Sequence, residues 1–203
     1  MNRNRSAPGA IGAFQPRRRA LLGAAAALPL LLAGGCAVTR STKAPAERRR
    51  EINAGIDSTL QRLYAEVRGS RELAAKARGL LVFPSILAAG LGIGGEYGEG
   101  GLRVGNRVEG YYSIASGSFG FQAGAQSKAL VMLFMTGEAL DRFRNSSGWT
   151  AGADASVALV KIGANGEIDL NSLSQAVNVF ALTNAGLMYN LTIEGTKVSR
   201  LEI

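Results

Sequence analysis

Few side chains in this sequence could act as nucleophiles, general bases or metal ligands. The chain of 203 residues contains no histidine and a single cysteine, Cys36. Without histidine, the Ser-His-Asp and Cys-His arrangements of nucleophilic catalysis are excluded, and so are Cys/His zinc sites and an imidazole base near neutral pH. Carboxylates, lysines and Ser-Lys pairs remain. The ordinary catalytic repertoire is thereby reduced to these groups.

One pair of carboxylates, Glu96 and Glu99, lies in the glycine-rich segment 90–101. Paired acids can hydrolyse glycosides when both flank the same bond. On a strand, however, these two positions point to opposite faces of the sheet, so their spacing favours polar residues at strand ends or in turns. Residues 90–95 also match G-x-G-x-x-G, but a dinucleotide site needs a helix directly after this motif, and a strand-like stretch follows. We expect these glycines to let strands bend or approach another backbone closely.

A run of bases is the remaining candidate for chemistry. Arg48, Arg49 and Arg50 follow one another near the start of an amphipathic segment. Bases near a membrane surface attract anionic lipid, with about 1 kcal/mol for each charge. The alternative is a solvated helix face whose charges pair within the helix, such as Glu47 with Arg50. Both interpretations stay open on the sequence alone.

The N-terminal residues are typical of an export signal. Residues 1–19 contain five arginines and no acid, residues 20–33 are apolar, and small residues precede Cys36. The apolar stretch is shorter than the roughly 20 residues of a membrane-spanning helix. Residues 32–36 are similar to a lipobox, with Ala33 where the commonest form has leucine. We therefore expect residues 1–35 to be a signal peptide, for either the general or the twin-arginine export route, and Cys36 to be lipidated.

The expected processing changes the location and the charge of the working protein. Ala37 after the cysteine favours transfer to the outer membrane, so we expect a lipid-anchored protein at its periplasmic face. Loss of the five signal arginines leaves 18 bases against 15 acids, a net charge of +3. Because this charge is small, nucleic acid is not an expected partner.

Helical periodicity follows a polar tether at 36–46. Apolar residues recur at spacings of three and four from about Glu47 to Val67, which predicts an amphipathic helix. A second short helix is predicted at about 71–78. A third is predicted at about 137–145, with Thr136 as its N-cap.

The rest of the pattern predicts strands. The first covers 80–83 and should stop at Pro84, and residues 130–135 are apolar on both faces, which predicts a covered central strand. Further strands are expected at about 109–126, 128–135, 152–162, 176–183, 187–194 and 196–202. The predicted class is α+β: N-terminal amphipathic helices pack on a glycine-rich, mainly antiparallel, barrel-like or sandwich-like β-sheet with one inserted helix.

Residues from about 47 to 203 resemble the SYLF domain family, found in bacterial lipoproteins and in eukaryotic proteins linked to phosphoinositides and actin. The segments that carry the resemblance are 79–84 (GLLVFP), 94–100 (GGEYGEG), 111–113 (YYS), 120–126 (GFQAGAQ), 138–143 (EALDRF), 149–157 (WTAGADASV), 186–188 (GLM) and 194–196 (EGT).

The resemblance implies a lipid-binding module whose N-terminal helix engages lipid headgroups. The matching segment here is 47–67, and its basic residues are Arg48, Arg49, Arg50 and Arg62. Anionic phospholipids are the expected partner, since bacteria generally lack polyphosphoinositides. The alternative is a structural module that holds a protein partner in the cell envelope. The reduced catalytic repertoire and the resemblance together lead us to expect a protein that is not an enzyme and that has no cofactor and no metal site.

Overall fold

Three helices and seven strands make up the part of the chain that the computed structural model describes: residues 43–161, 168, 175–183, 186–187, 193 and 195–203. Side chains at 89–93, 118–125 and 187 are not described. The predicted signal peptide, Cys36 and residues 37–42 of the tether lie outside this range and stay predictions. In chain order the elements are α1 (Pro45–Glu66), α2 (Ser70–Lys76), β1 (Gly79–Val104), β2 (Arg107–Phe134), α3 (Gly137–Asn145), β3 (Trp149–Thr150), β4 (Val157–Leu159), β5 (Val177–Thr183), β6 (Gly186–Leu187) and β7 (Lys197–Leu201).

The strands form one sheet around the long β1–β2 hairpin. β1 pairs with β2 along nearly its whole length, and two strands share the opposite edge of β2. Residues 111–115 of β2 pair with β7, and residues 128–134 pair with β5. β3 pairs with β7, β4 pairs in parallel with β5, and β6 also pairs with β5. This sheet is mainly antiparallel and strongly curled, and α1 packs on it, which confirms the predicted α+β class.

The strand bounds differ from the prediction at several points. The prediction that Pro84 ends the first strand is wrong: β1 continues through it, because a register shift between Phe83 and Ile86 places the proline where the ladder is already interrupted. The two strands predicted at 109–126 and 128–135 are one strand, β2. The predicted strand at 152–162 is reduced to β4, and most of the one predicted at 187–194 lies outside the described residues.

The two halves of β1 approach each other closely, and glycines make this approach possible. A methyl group on Gly100 would lie 2.1 Å from the carbonyl oxygen of Val82, and one on Gly98 would lie 2.7 Å from the carbonyl oxygen of Ser85. Val82 and Ser85 precede the centre of β1, and Gly100 and Gly98 follow it at similar distances along the strand. The strand therefore folds back about its middle, near a second register shift at 90–92. These contacts confirm the expectation that the glycine run permits close approach of two backbones.

Helices cover both faces of the sheet. Val179 of β5 packs in the same core as α3, whereas its neighbour Phe180 packs in the core beneath α1 and α2. Alternate residues of a strand point to opposite faces, so the two cores lie on opposite sides of the sheet. Residues 130–134 are buried and are paired on both edges, which confirms the prediction of a covered central strand.

The third helix has the bounds that the sequence predicted. Thr136 Oγ1 accepts a hydrogen bond from the Ala139 backbone nitrogen at 3.2 Å, which confirms the N-cap. The buried face of α3 contributes to an aromatic cluster made of Tyr112, Phe134, Phe143 and Trp149.

The first helix begins slightly earlier than predicted, since Pro45 occupies its first turn, where a missing N–H is tolerated. One face of α1 is buried against the sheet through Ile52, Ile56, Thr59, Leu60 and Leu63. Within the described residues, none of the helices combines the length and the apolar character needed to cross a membrane.

Candidate functional site

Arg48, the first of the predicted lipid-binding arginines, is partly buried and forms an ion pair within the protein. Its Nη2 lies 2.6 Å from Glu99 Oε1, and the two side chains are only 18% and 24% exposed. The Tyr97 hydroxyl donates to the same carboxylate oxygen at 3.0 Å. Burial, together with that hydrogen bond, raises the pKa of Tyr97 to about 12. Arg48 therefore connects α1 to β1, and its charge is already compensated.

Arg62, the last of the four, also makes contacts within the protein. Its Nε donates to Glu66 Oε1 at 3.0 Å, and its Nη2 donates to the carbonyl oxygen of Thr183 at 2.7 Å. The rise of an α-helix places Arg62 roughly 21 Å along the axis from Arg48. The structure therefore does not bring the four arginines together into one cluster.

Arg49 and Arg50 are the exposed members of the run. Arg49 Nη1 donates to the backbone oxygen of Ile203 at 2.7 Å, and its side chain stays exposed. Arg50 is exposed and forms no ion pair with any residue that the structure describes. The neighbouring Glu51 pairs with Lys43. These two arginines are the part of the run that remains available to a ligand.

The two candidate acids each have a separate cation. Lys128 Nζ lies 2.8 Å from both carboxylate oxygens of Glu96, and Ser116 Oγ donates to one of them at 3.0 Å. Glu99 is paired with Arg48 instead. Because the two carboxylates accept hydrogen bonds from different cations, Lys128 on β2 and Arg48 on α1, this arrangement supports structural ion pairs and not a shared acid/base site.

A second set of bases lies on and beside α2. Residues 68–78 carry four bases and one acid, Glu72. All four bases are exposed, and none of them forms an ion pair with an acid in the described part of the chain. The four are Arg68, Arg71, Lys76 and Arg78. We call this set the α2 bases. Sequence reasoning missed them as a site, although the local excess of charge was visible.

Replacing Arg48 with alanine should lower the free energy of unfolding by about 1–2 kcal/mol, because Glu99 would keep only the Tyr97 hydroxyl as a partner in a partly buried position. Arg50→Ala on the same helix is the control, and its effect should stay within about 0.5 kcal/mol. Urea unfolding of the full chain measures both changes. Equal effects would contradict the structural role of Arg48.

The helical layer of the curled sheet carries exposed bases, and the acids Glu96 and Glu99 of β1 are each paired with a cation. The comparisons with known proteins agree with a binding module. Residues 115–202 match the model of the Ysc84 family, described as "Las17-binding protein actin regulator". This match confirms the resemblance to the SYLF domain family, a module linked to lipid and to actin. No curated protein matches the chain.

The matched range does not include the helices that carry the exposed bases. It runs from the middle of β2 through β7, so α1 and α2 lie before it. The family match therefore covers the second part of β2, α3 and β3 to β7, and β1 lies before it as well. The bases of α1 and α2 lie outside the matched range.

Proposed function

We propose that this protein is a non-enzymatic lipoprotein whose domain binds anionic phospholipids through the exposed bases of α1 and α2. The observation that carries the proposal is that exposed cations on and beside α1 and α2, Arg50 and the α2 bases, have no acidic partner among the described residues. The SYLF family's link to lipid supports the same conclusion.

Binding should occur at the bilayer surface and should not require helix insertion. The apolar residues of α1 are buried in the core beneath the helix, so they could enter a membrane only if α1 left the sheet. Exposed bases, in contrast, reach anionic headgroups without any rearrangement. This mode of binding should weaken steeply as salt is added.

The proposed anchor explains how these bases would reach a membrane. Cys36 precedes Pro45 by nine residues, and an extended chain spans at most roughly 3.3–3.6 Å per residue. An acyl chain on Cys36 would thus hold the start of α1 within about 30 Å of the bilayer. We propose that this bilayer is the outer membrane, at its periplasmic face.

Vesicle co-sedimentation of the full chain tests the proposal. The apolar stretch 20–33, the five arginines of residues 1–19 and any acyl chain contribute equally in every variant. The measured quantity is therefore the change between variants in the preference for phosphatidylglycerol-containing over pure phosphatidylcholine vesicles. Arg49→Ala combined with Arg50→Ala should lower this preference roughly thirtyfold, since the two bases together contribute about 2 kcal/mol near an anionic surface.

The charge-matched control for this test lies on α3. Arg142→Ala combined with Arg144→Ala removes the same charge from the opposite face of the sheet, and both of these arginines already pair with acids. The control should keep the wild-type preference. The proposal is wrong if the wild-type chain shows no preference for anionic vesicles at low salt.

A second candidate function is a protein-interaction module of the cell envelope. Two large apolar residues of β1, Leu87 and Tyr97, are 61% and 46% exposed. The family description also names binding of a protein. Crosslinking in cells would favour this candidate if Leu87→Ser combined with Tyr97→Ser abolished one dominant crosslinked partner while the vesicle preference stayed unchanged.

A further inference from the structure

A groove of about 570 Å³ lies between α1, α2 and the turn that joins β1 to β2. This volume is within the usual range of small-ligand sites. One wall is a stripe of α1 at helical spacing, formed by Asp57, Leu60, Gln61 and Tyr64. The other walls include Arg71 of α2, Arg103 of β1 and Asn106 of the turn. We call this cavity the α2 groove.

Two guanidinium groups converge on this groove from different elements. Arg71 lies over the ring of Tyr64, with its Cζ 4.5 Å from the ring centroid. Arg103 Nη1 lies 2.7 Å from Oδ1 of Asp57, which is two helical turns before Tyr64 on α1. Burial raises the pKa of the Tyr64 hydroxyl, and the positive charges of Arg71 and Arg103 oppose that rise, as expected when both lie near the same hydroxyl group.

The charge of the groove suits an anion. Among the residues that the structure describes, its charged lining groups are two arginines and one aspartate, a net of one positive charge. The bases Lys76, Arg78 and Arg107 nearby in the sequence are exposed and have no ion pair within the described residues. A guanidinium that stacks flat on an aromatic ring keeps the N–H groups of its edge free for a second partner.

We propose that the α2 groove binds a phosphate group, with Arg71 and Arg103 as the charged donors. The side-chain amides of Gln61 and Asn106 also line the groove and can donate to phosphate oxygens. Asp57 competes with the phosphate for Arg103. The inference rests on the proposed function, because it assigns the headgroup phosphate of an anionic lipid to one site, but a soluble phosphate ester presents the same chemistry.

Calorimetric titration of the full chain in neutral detergent micelles tests the groove. The probes are short-chain phosphatidylglycerol, short-chain phosphatidylcholine as the zwitterionic reference with no net charge, and glycerol 3-phosphate as the soluble ester. Arg71→Ala combined with Arg103→Ala should lower the affinity for the bound probe at least roughly tenfold, since each arginine provides charge-assisted hydrogen bonds. Arg142→Ala combined with Arg144→Ala should leave it unchanged.

Two further variants keep the test independent of folding defects. Asp57→Asn removes the competing carboxylate and should raise the affinity, by roughly two- to fivefold for a partly exposed charge. Arg71→Lys combined with Arg103→Lys keeps the charge and removes the bidentate geometry, so the affinity should still fall. The assignment of the α2 groove as a phosphate site is wrong if Asp57→Asn and both arginine double variants bind every probe with the wild-type affinity.

The outcomes separate the groove from the proposed function. Preference for phosphatidylglycerol with the predicted losses supports the groove as a lipid headgroup site. Binding of glycerol 3-phosphate alone, with the same losses, supports the groove as a phosphate site but contradicts lipid binding. A lipid preference that is unchanged by the substitutions of Arg71, Arg103 and Asp57 contradicts the phosphate site in the α2 groove but leaves the proposed function intact.

Discussion

Gly100→Ala should destabilise the protein by about 3 kcal/mol or more, at the upper end of what overpacking costs. The added methyl carbon would lie 2.1 Å from the carbonyl oxygen of Val82 and 2.6 Å from Cδ1 of Phe83. Rotation of a side chain cannot relieve the first contact, because the oxygen belongs to the backbone of a central hairpin. The two halves of β1 would have to separate, and the apolar contacts between them would be lost.

Gly117→Ala is the matched control. Gly117 lies on β2, and a methyl group there would meet nothing within 4 Å. Alanine at such a strand position reduces the conformational freedom of the unfolded chain, so the change should be neutral or slightly stabilising. Urea unfolding of the two variants beside the wild type measures the difference. Similar stabilities of the two alanine variants would contradict the close approach of the two halves of β1.

This experiment also bears on the glycine motif at 90–95. The motif is followed by the continuation of β1, and no helix begins after it, so the arrangement that holds a dinucleotide phosphate is not formed there. The glycines at 98 and 100 meet backbone atoms of the same strand. Their role is therefore to close the curl of the sheet.

Local features of the fold could be predicted from the sequence, and features that depend on distant residues could not. The N-cap of α3 was predictable because Thr136 and the residue that it caps are three positions apart. Pro84 misled the prediction because the bulge that accommodates it depends on pairing with β2, which the local sequence does not reveal. The same holds for β2: nothing within it shows that one strand pairs with three others.

In the candidate site, too, local features could be predicted from the sequence and features that depend on distant residues could not. The arginine run at 48–50 was visible, but the partner of Arg48 is 51 residues further along the chain, so the sequence could not show that its charge is compensated. The α2 bases are local and could have been identified by counting charges over 68–78. The α2 groove could not have been identified from the sequence, because Arg71 and Arg103 are 32 residues apart and are brought together only by the packing of the β1–β2 hairpin beside α2.

Phe143→Ala should lower the free energy of unfolding by about 4 kcal/mol, as is typical when a fully buried phenylalanine is truncated. Phe143 is 1% exposed, and its ring centroid lies 4.8 Å from that of Tyr112, 5.0 Å from Phe134 and 5.8 Å from Trp149. The cavity would therefore remove contacts to three aromatic rings at once. Asp141→Ala, on the exposed side of α3, is the control and should change stability by less than about 0.5 kcal/mol.

The same variant tests whether lipid binding is confined to the face of the sheet that carries α1 and α2. Phe143 belongs to the core beneath α3, whereas the exposed bases lie on α1 and α2 over the opposite core. Below its lowered unfolding transition, Phe143→Ala should therefore keep the wild-type preference for anionic vesicles. Fluorescence of Trp149, the single tryptophan, reports whether the chain is folded under the conditions of that assay. Loss of the vesicle preference in a folded Phe143→Ala chain would show that the surface beneath α3 takes part in binding, and would contradict its assignment to α1 and α2.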